Sequence, residues 1–370
     1  MIPRATFGVV GGYGAIGSAV VSELHKSSAE SILIGGRDED KAKALASKLG
    51  NRLSARRVDV LDTGTLDEFC AGCSTVINTA GPVMVLQDHV AQAAFRAGAN
   101  YVDAASLMIV KDRMAPLSNA IADAGLSFVL SAGFFPGLCE VSPAYAEVLA
   151  RSRMNSLESM EVYYGDTSAW SANGFREVAW LMRHSGSRWR GYFRRGEWVP
   201  VSVFKASRKV DLGTDIGVRR FFMSATPELS DIGVRLNDCS FAAYACVPGP
   251  RIALAGALIA VLPLSDDFGA RLLRNGFRKD HLPMGGFVVC RIVGHSQGRK
   301  STLSTQTLYE EERAYWITGL VAATAARMIS KGKAVRRGVN FLVSAVDPSE
   351  FMRELQKAGL IQTETFQYCN

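Results

Sequence analysis

At 370 residues the chain is long enough for one large domain or two medium ones, and 48% hydrophobic against 21% charged residues places it among soluble globular proteins. That balance excludes wholesale disorder, and 35 Gly with 12 Pro and no G-X-Y period excludes a collagen-like chain. The formal net charge of +7 points to an anionic partner only where the charge is concentrated.

The first third alternates short apolar strands with amphipathic stretches. Strands are predicted at Thr6–Val10, Ser31–Ile34, Ala55–Val60, Ser74–Asn78, Asn100–Asp103 and Ser127–Ser131. Helices are predicted between them at Ala15–Lys26, Glu39–Leu49, Thr65–Cys70, Leu86–Ala97 and Lys111–Ala124. Regular alternation of this kind gives an α/β fold, a doubly wound parallel sheet of the Rossmann type with helices on both faces. The turn cluster Gly133-Phe-Phe-Pro-Gly137 closes this region. Beyond it, Ser159–Tyr164, Val218–Ser224, Phe241–Val247, Gly286–Val293 and Thr302–Tyr309 are longer and rich in β-branched and aromatic residues, which predicts a second α+β domain with a mixed or antiparallel sheet. Glu310–Lys331 and Pro348–Ala358 are helical patterns near the end, and the apolar run Ile252–Leu264 is read as a buried helix.

Gly11-Gly12-Tyr13-Gly14-Ala15-Ile16-Gly17 carries the strongest chemical signal. Gly12, Gly14 and Gly17 satisfy G-x-G-x-x-G between a predicted strand and a predicted helix. Glycines at that spacing permit a tight turn, let backbone amides approach a pyrophosphate, and let helix and strand pack closely, with the anion on the helix N-terminus. An NAD site carries an acid at the second-strand tip for the ribose hydroxyl, whereas this chain has Gly35-Gly36-Arg37. Arg37 suits a 2′-phosphate, so NADP is favoured, with surface pairing of Arg37 to Asp38 or Asp40 as the other reading. Asp59-Val60, closing the third strand, lies where adenine would be lined. Small residues at Thr79–Gly81, including Ala80 and Gly81, let the second half of the cofactor pass close to the backbone, and Asp103 at the fifth-strand tip is the candidate catalytic group, or else a turn former.

In order along the chain, G-G-Y-G-A-I-G, G-G-R-D-E-D-K-A, V-I-N-T-A-G-P, Y-V-D-A and A-G-F-F-P-G-L resemble the saccharopine dehydrogenase family, and more closely its bacterial saccharopine dehydrogenase-like oxidoreductases. The resemblance is dense over residues 5–140, returns loosely at Gly319–Gly338, and is absent from roughly 150–310. It implies an N-terminal NADP-binding domain, phosphate contacts from Gly11 through Gly17, 2′-phosphate contact from Arg37, and nicotinamide-side contacts near Ala80, Gly81 and Phe134–Gly137, Phe135 and Pro136 among them. It implies hydride transfer without naming the substrate. Phe134-Phe135 stands where amino-acid-handling members carry an acidic residue before the proline, which argues against saccharopine itself.

The middle of the chain concentrates charge. Arg183 to Lys209 holds eight Lys/Arg (Arg183, Arg188, Arg190, Arg194, Arg195, Lys205, Arg208, Lys209) against the single acid Glu197, interleaved with aromatics. Such a stretch suits an anionic substrate or acidic carrier, single-stranded nucleic acid, or a solvated hairpin. Beside a cofactor domain the substrate or carrier reading ranks above nucleic acid, and Arg176, Arg183 and Arg188 are the candidate substrate-binding residues.

Seven Cys do not suit a disulfide scaffold and suggest reduced thiols in the cytoplasm. Cys70-Ala-Gly-Cys73 has redox or zinc spacing but lacks a second C-x-x-C. Met1–Thr6 leads directly into a strand, so no secretory signal is expected, and no run is long enough to cross a membrane. His25, His89, His184, His281 and His295 are scattered, with no H-E-x-x-H and no G-x-S-x-G, so no metal is expected.

The expected organisation is an NADP-binding Rossmann domain over 1–138, a substrate-binding and dimerisation domain over 139–310, and 311–370 returning to the first. The expected activity is that of a homodimeric, NADP-dependent reductase acting on a C=N bond of a small or carrier-bound anion. A trans-acting enoyl (C=C) reductase in a lipid or polyketide pathway and a non-catalytic NADP-binding regulatory module stand as the alternatives.

Overall fold

The computed structural model describes residues 5–104, 107–168, 170–185, 188–246, 248–280 and 285–369. Met1, Val247 and His281, each named above, lie outside them. The chain divides into two compact units, one of Met1–Val141 with Tyr315–Gly359, the other of Ser142–Ala314 with Leu360–Asn370.

In the first unit the strands are β1 (Ala5–Val10), β2 (Ile32–Gly36), β3 (Leu53–Arg57), β4 (Cys73–Asn78), β5 (Asn100–Asp103) and β6 (Ser127–Leu130), and the first two crossovers are the helices α1 (Ala15–Ser27) and α2 (Glu39–Leu49). Apolar runs such as Ile32–Ile34 are buried along their whole length, as strands covered on both faces must be. β3 starts and stops earlier than predicted, leaving Val58–Val60 as loop. The predicted helix Leu86–Ala97 is two, Val83–Leu86 and His89–Arg96, broken at Gln87, whose φ is +46°.

The second unit carries β7 (Ser156–Asp166), β8 (Gly191–Arg194), β9 (Glu197–Pro200), β10 (Ser207–Asp211), β11 (Val218–Met223), β12 (Ser240–Cys246), β13 (Gly286–Ser296) and β14 (Arg299–Tyr309). Two later strands complete the sheets. β15 (Gly338–Phe341) pairs in parallel with β6. β16 (Gln362–Tyr368) pairs antiparallel with β14, so Leu360–Asn370 joins the second unit and not the first, a correction to the expected return of 311–370.

The first sheet therefore runs β15-β6-β5-β4-β1-β2-β3, a seven-stranded parallel sheet that reverses direction at β1/β4. That reversal is the switch point beyond which open α/β sheets place ligands. The second sheet runs β10-β11-β12-β7-β13-β14-β16, with the hairpin β8–β9 attached to β12. It is mixed, because β12 pairs β7 in parallel while its other pairings are antiparallel. The expected fold class is borne out.

Tyr163, Phe221, Tyr244 and Phe287 form an aromatic core on one face of this sheet, and Tyr163 stacks on Tyr244 with centroids 5.3 Å apart. A second core joins the helices Ala172–Ser185, Pro250–Val261 and Asp266–Asp280 through Phe175, Ile252, Ile259, Leu273 and Phe277. The run read as a buried helix is helical but only half-buried, with Leu254, Leu258 and Val261 exposed. Among the described residues no helix is long and apolar enough to cross a membrane.

The helix Ala314–Ser330 covers α1 through a close backbone approach. A Cβ at Gly319 would lie 2.5 Å from the Ala19 Cβ and 2.9 Å from the Ala19 backbone. Trp316 Nε1–H donates to the buried Glu23 carboxylate at 3.1 Å, which also pairs with Lys26 at 2.9 Å. Gly319→Leu is expected to lower unfolding stability by about 1–3 kcal/mol, the usual cost of overpacking, read as a lower urea midpoint by circular dichroism. An unchanged midpoint would contradict this packing.

Candidate functional site: the glycine loop and its surroundings

The loop from β1 to α1 assigns a separate task to each glycine. Gly11 has φ +76°, the left-handed region, and makes the tight turn. A Cβ on it would stand 3.0 Å from the Ala80 amide nitrogen, so the loop after β4 passes directly alongside. A Cβ on Gly17 would lie 2.2 Å from the Gly11 carbonyl oxygen, which makes this glycine the packing contact between helix and turn. Gly14 is different: it is exposed, and a Cβ there would meet only the Gly11 oxygen, at 3.1 Å. Its backbone, φ −69° and ψ 174°, suits any residue. The protein's own packing has little need of glycine at this position, and the space over the start of α1 stays open.

The N-terminus of α1 is correspondingly bare. Gly14 occupies the cap position without a side-chain hydrogen bond, and the first turn holds no acid. The leading amides of a helix have no acceptor within it, and its dipole makes that end positive. The next two helix starts are closed: Asp38 caps α2, and Asp62 caps the helix Thr63–Ala71.

Tyr13, in the middle of the loop, latches it to the tip of β2. Its hydroxyl accepts from the Asp38 N–H at 3.0 Å, and its ring lies where a Cβ on Gly36 would be, 2.2 Å away. Gly36 is glycine because Tyr13 covers it. Arg37 follows, exposed and without an ion pair or hydrogen bond to any described residue. Asp38, its rival partner, is engaged by Lys41 at 2.9 Å as well as by the α2 amide, and these bonds hold its carboxyl below the usual carboxylate range. Arg57, the register partner of Gly36 across β2–β3, is a second exposed cation at this corner that the motif alone did not single out.

Asp59 and Val60 lie in the loop after β3, not in the strand. Asp59 is half-buried and its carboxylate accepts from the Leu61 N–H at 3.1 Å, while Val60 is buried in the core. Ala80 and Gly81 are half-exposed beside the glycine loop, where Thr79 donates from both its amide and its hydroxyl to the Val10 carbonyl. The Ala80 N–H donates to Asn78 at 3.1 Å, and Asn78 in turn donates to Asp103 at 3.2 Å.

That last bond corrects the expectation for Asp103. Its carboxylate is 3% exposed and accepts from Asn78 and from the Tyr101 hydroxyl. Burial beside this carboxylate pushes the Tyr101 phenol well above its ordinary range. Asp103 ties the tips of β4 and β5 together, and no surface open to a substrate is left on it. Phe135 and Pro136 belong to a closed turn in which the Leu138 N–H bonds the Gly133 carbonyl at 2.8 Å and the Gly137 N–H bonds the buried Glu140. Phe135 is half-exposed and Pro136 is buried.

In the second unit the structure separates the expected arginines. Arg176 pairs with Asp267 at 2.7 Å, and Arg183 with Asp266 and the Leu264 carbonyl, so both fasten the helix Ala172–Ser185 to Asp266–Asp280. Their guanidinium groups therefore have protein partners, unlike the free cations the expected substrate role calls for. Arg188 is exposed and unpaired among the described residues. Arg208 is ion-paired to Glu161 at 2.7 Å and lies 4.1 Å over the Tyr244 ring. The basic stretch is thus several different environments, including the hairpin β8–β9 with Arg194 on the Tyr192 ring.

Cys70 and Cys73 are both buried, and Cys73 donates to the Phe69 carbonyl at 3.3 Å. Burial pushes the Cys70 thiol up to about 12, far from the thiolate that redox or metal chemistry requires. Among the described residues no three His, Cys, Asp or Glu gather as a metal site.

A seven-stranded parallel sheet with an open helix N-terminus behind a glycine turn at the switch point defines a Rossmann-type dinucleotide-binding domain. Residues 7–129 match the family model of the saccharopine dehydrogenase NADP binding domain. The chain also shares its fold with apo histidine-tagged saccharopine dehydrogenase (L-Glu forming) from Saccharomyces cerevisiae, at TM-score 0.68 and 16% identity over 98% of this chain and 100% of that one. GenD2 from gentamicin A biosynthesis, solved in complex with NAD, is a looser likeness at TM-score 0.48 and 13% identity, over 100% of this chain and 97% of that one. No curated protein matches the chain.

The burial of Cys70 is directly measurable. Iodoacetamide at mildly alkaline pH should label the exposed Cys369 in the native protein and leave Cys70 and Cys73 unmodified until denaturant is added. Native labelling of Cys70 at a comparable rate would contradict the shielding.

Proposed function

We propose that the protein is an NADP-dependent reductase of the saccharopine dehydrogenase type, acting on a C=N bond of a small or carrier-bound anionic substrate. The observation that carries the reading is the uncapped, acid-free N-terminus of α1 beside an unpaired Arg37. The residues present fit a dinucleotide: Gly11 turns the chain, Gly14 leaves room for a pyrophosphate, and the first amides of α1 are positioned to donate to it. Arg37 would hold the 2′-phosphate, on an edge that the Tyr13–Asp38 bond keeps fixed. Ala80, Gly81 and the half-exposed Phe135 would line the path toward the nicotinamide. Bound NADPH supplies the hydride.

The chain's own part is positional and electrostatic: it orients the cofactor and excludes an acid from the 2′ position. The proton for the reduced nitrogen comes from a group other than Asp103, whose carboxylate is enclosed by Asn78 and Tyr101. Turnover separates this reading from its rivals: NADPH oxidation with cyclic imines supports it. Turnover with enoyl thioesters alone, or NADPH binding with no turnover on either, would replace it.

Two substitutions test the cofactor site. Gly14→Val should leave the melting temperature nearly unchanged, since the added side chain meets only the Gly11 oxygen, while abolishing dinucleotide binding in a fluorescence titration. Undiminished affinity in the folded variant would remove the assignment. Arg37→Ala should weaken NADPH about ten- to a hundred-fold, the range of a lost charge-assisted bond, and leave NADH affinity where it was. Equal losses for both dinucleotides would show that Arg37 does not read the 2′-phosphate.

A further inference from the structure

The second unit contains a cavity of about 220 Å³ lined by Trp189, Arg190, Val203, Phe222, Met223 and Ser224, with Ala206 completing the wall. Backbone groups of several lining residues are held by hydrogen bonds. Trp189 accepts from the Ala225 N–H at 2.9 Å, Ala206 accepts from the Met223 N–H at 2.8 Å, and the Ser224 carbonyl accepts from the Tyr164 hydroxyl at 2.8 Å.

Arg190 is the only charged residue in this lining. Its Nε donates to the Val201 carbonyl at 2.9 Å and its carbonyl accepts from the Val201 N–H at 3.0 Å, so the side chain is held at its root. Its two terminal nitrogens have no carboxylate or carbonyl partner among the described residues. The other half-buried arginines of the region differ: Arg183 and Arg208 each face an acid, Asp266 and Glu161. The Ser224 hydroxyl and the Trp189 indole N–H likewise carry no hydrogen bond among the described residues.

We propose that this cavity binds a small carboxylate with an apolar body, its carboxylate on the terminal nitrogens of Arg190 and its body against Trp189, Phe222 and Met223. A planar guanidinium anchored through Nε presents its remaining donors as a fork that matches a carboxylate's two oxygens. The apolar side chains beside it favour a ligand with an apolar body over a strongly hydrated inorganic ion. Ser224 adds one hydrogen bond for an oxo, hydroxyl or amino substituent. The volume falls below that of drug-sized sites, so the occupant is of amino-acid or keto-acid size. The site needs no dinucleotide and stands independently of the reductase reading.

Calorimetric titration of the intact chain, without cofactor, tests it with phenylpyruvate, phenylacetate and 3-methyl-2-oxobutanoate against phenylacetamide and inorganic phosphate. Saturable binding of the carboxylates, with the amide and phosphate weaker, is the expected result. Arg190→Ala should weaken carboxylate binding about ten- to a hundred-fold and Arg190→Lys less, whereas Arg353→Ala, at an exposed residue outside the cavity, should leave it unchanged. Should Arg190→Ala fail to fold for want of its Val201 bond, the acid-against-amide comparison on the unaltered chain decides alone. Three results would overturn the proposal: no saturation by any carboxylate, amide or phosphate binding as tightly, or Arg353→Ala losing as much as Arg190→Ala.

Discussion

The carbonyl of Gly11 sits where a side chain at position 17 would have to be, and the first unit is arranged around that contact. To reach it, the chain turns through a left-handed Gly11 directly after β1, and α1 begins against the turn with no intervening side chain. Two residues further on, Gly319 presses its backbone onto Ala19 from the helix Ala314–Ser330. Backbone-to-backbone packing leaves little freedom for a helix to pivot, because no flexible side chain lies between the surfaces to adjust. The amides at the start of α1 therefore point in a direction set by the core, not by a loop. Preorganisation of that kind lets an anion bind without the protein ordering itself first.

Charge in this protein is informative only after its partners are known. The arginines fall into those with a carboxylate across from them, such as Arg176, Arg183 and Arg208, and those without, such as Arg37 and Arg190. The first kind joins elements together. The second kind occupies two quite different settings, an exposed strand tip and a half-open cavity, and in each no carboxylate among the described residues faces the guanidinium. A guanidinium cannot shed its proton to relieve the imbalance, so an unpaired one beside apolar walls favours an external anion.

Much of the first unit was legible because its determinants are local. The glycine turn, the strand before it and the helix after it lie within about twenty residues, and their periodicities need no distant information. What failed to show was whatever depends on residues far apart in sequence. Arg176 and Arg183 look available until Asp267 and Asp266, some ninety residues on, fold against them. Asp103 looks catalytic until Tyr101 and Asn78 enclose it. The exposed side of Pro250–Val261 was unreadable for the opposite reason: an apolar run carries no mark of which face is covered. Arg190 was visible as charge in a basic stretch, but its anchoring to Val201 and its aromatic surroundings come only from the fold around Phe222 and Met223. Short strands were missed as well. The four-residue β15 and the largely exposed β16 have too little apolar pattern to announce themselves.

β15 and β16 also set the order in which the two sheets are completed. β15 supplies the outer partner of β6, and β16 the outer partner of β14. As the polypeptide emerges from a ribosome, the edges of β6 and β14 stay unpaired until residues beyond 337 and 361 respectively have appeared. Exposed edges are templates for pairing with other chains, so a nascent chain stalled between β14 and β15 carries both of these at once, and one stalled between β15 and β16 carries only that of β14. Completion of the first sheet thus waits for β15 and that of the second for β16, so the two units reach their finished hydrogen bonding within a short stretch of chain of each other.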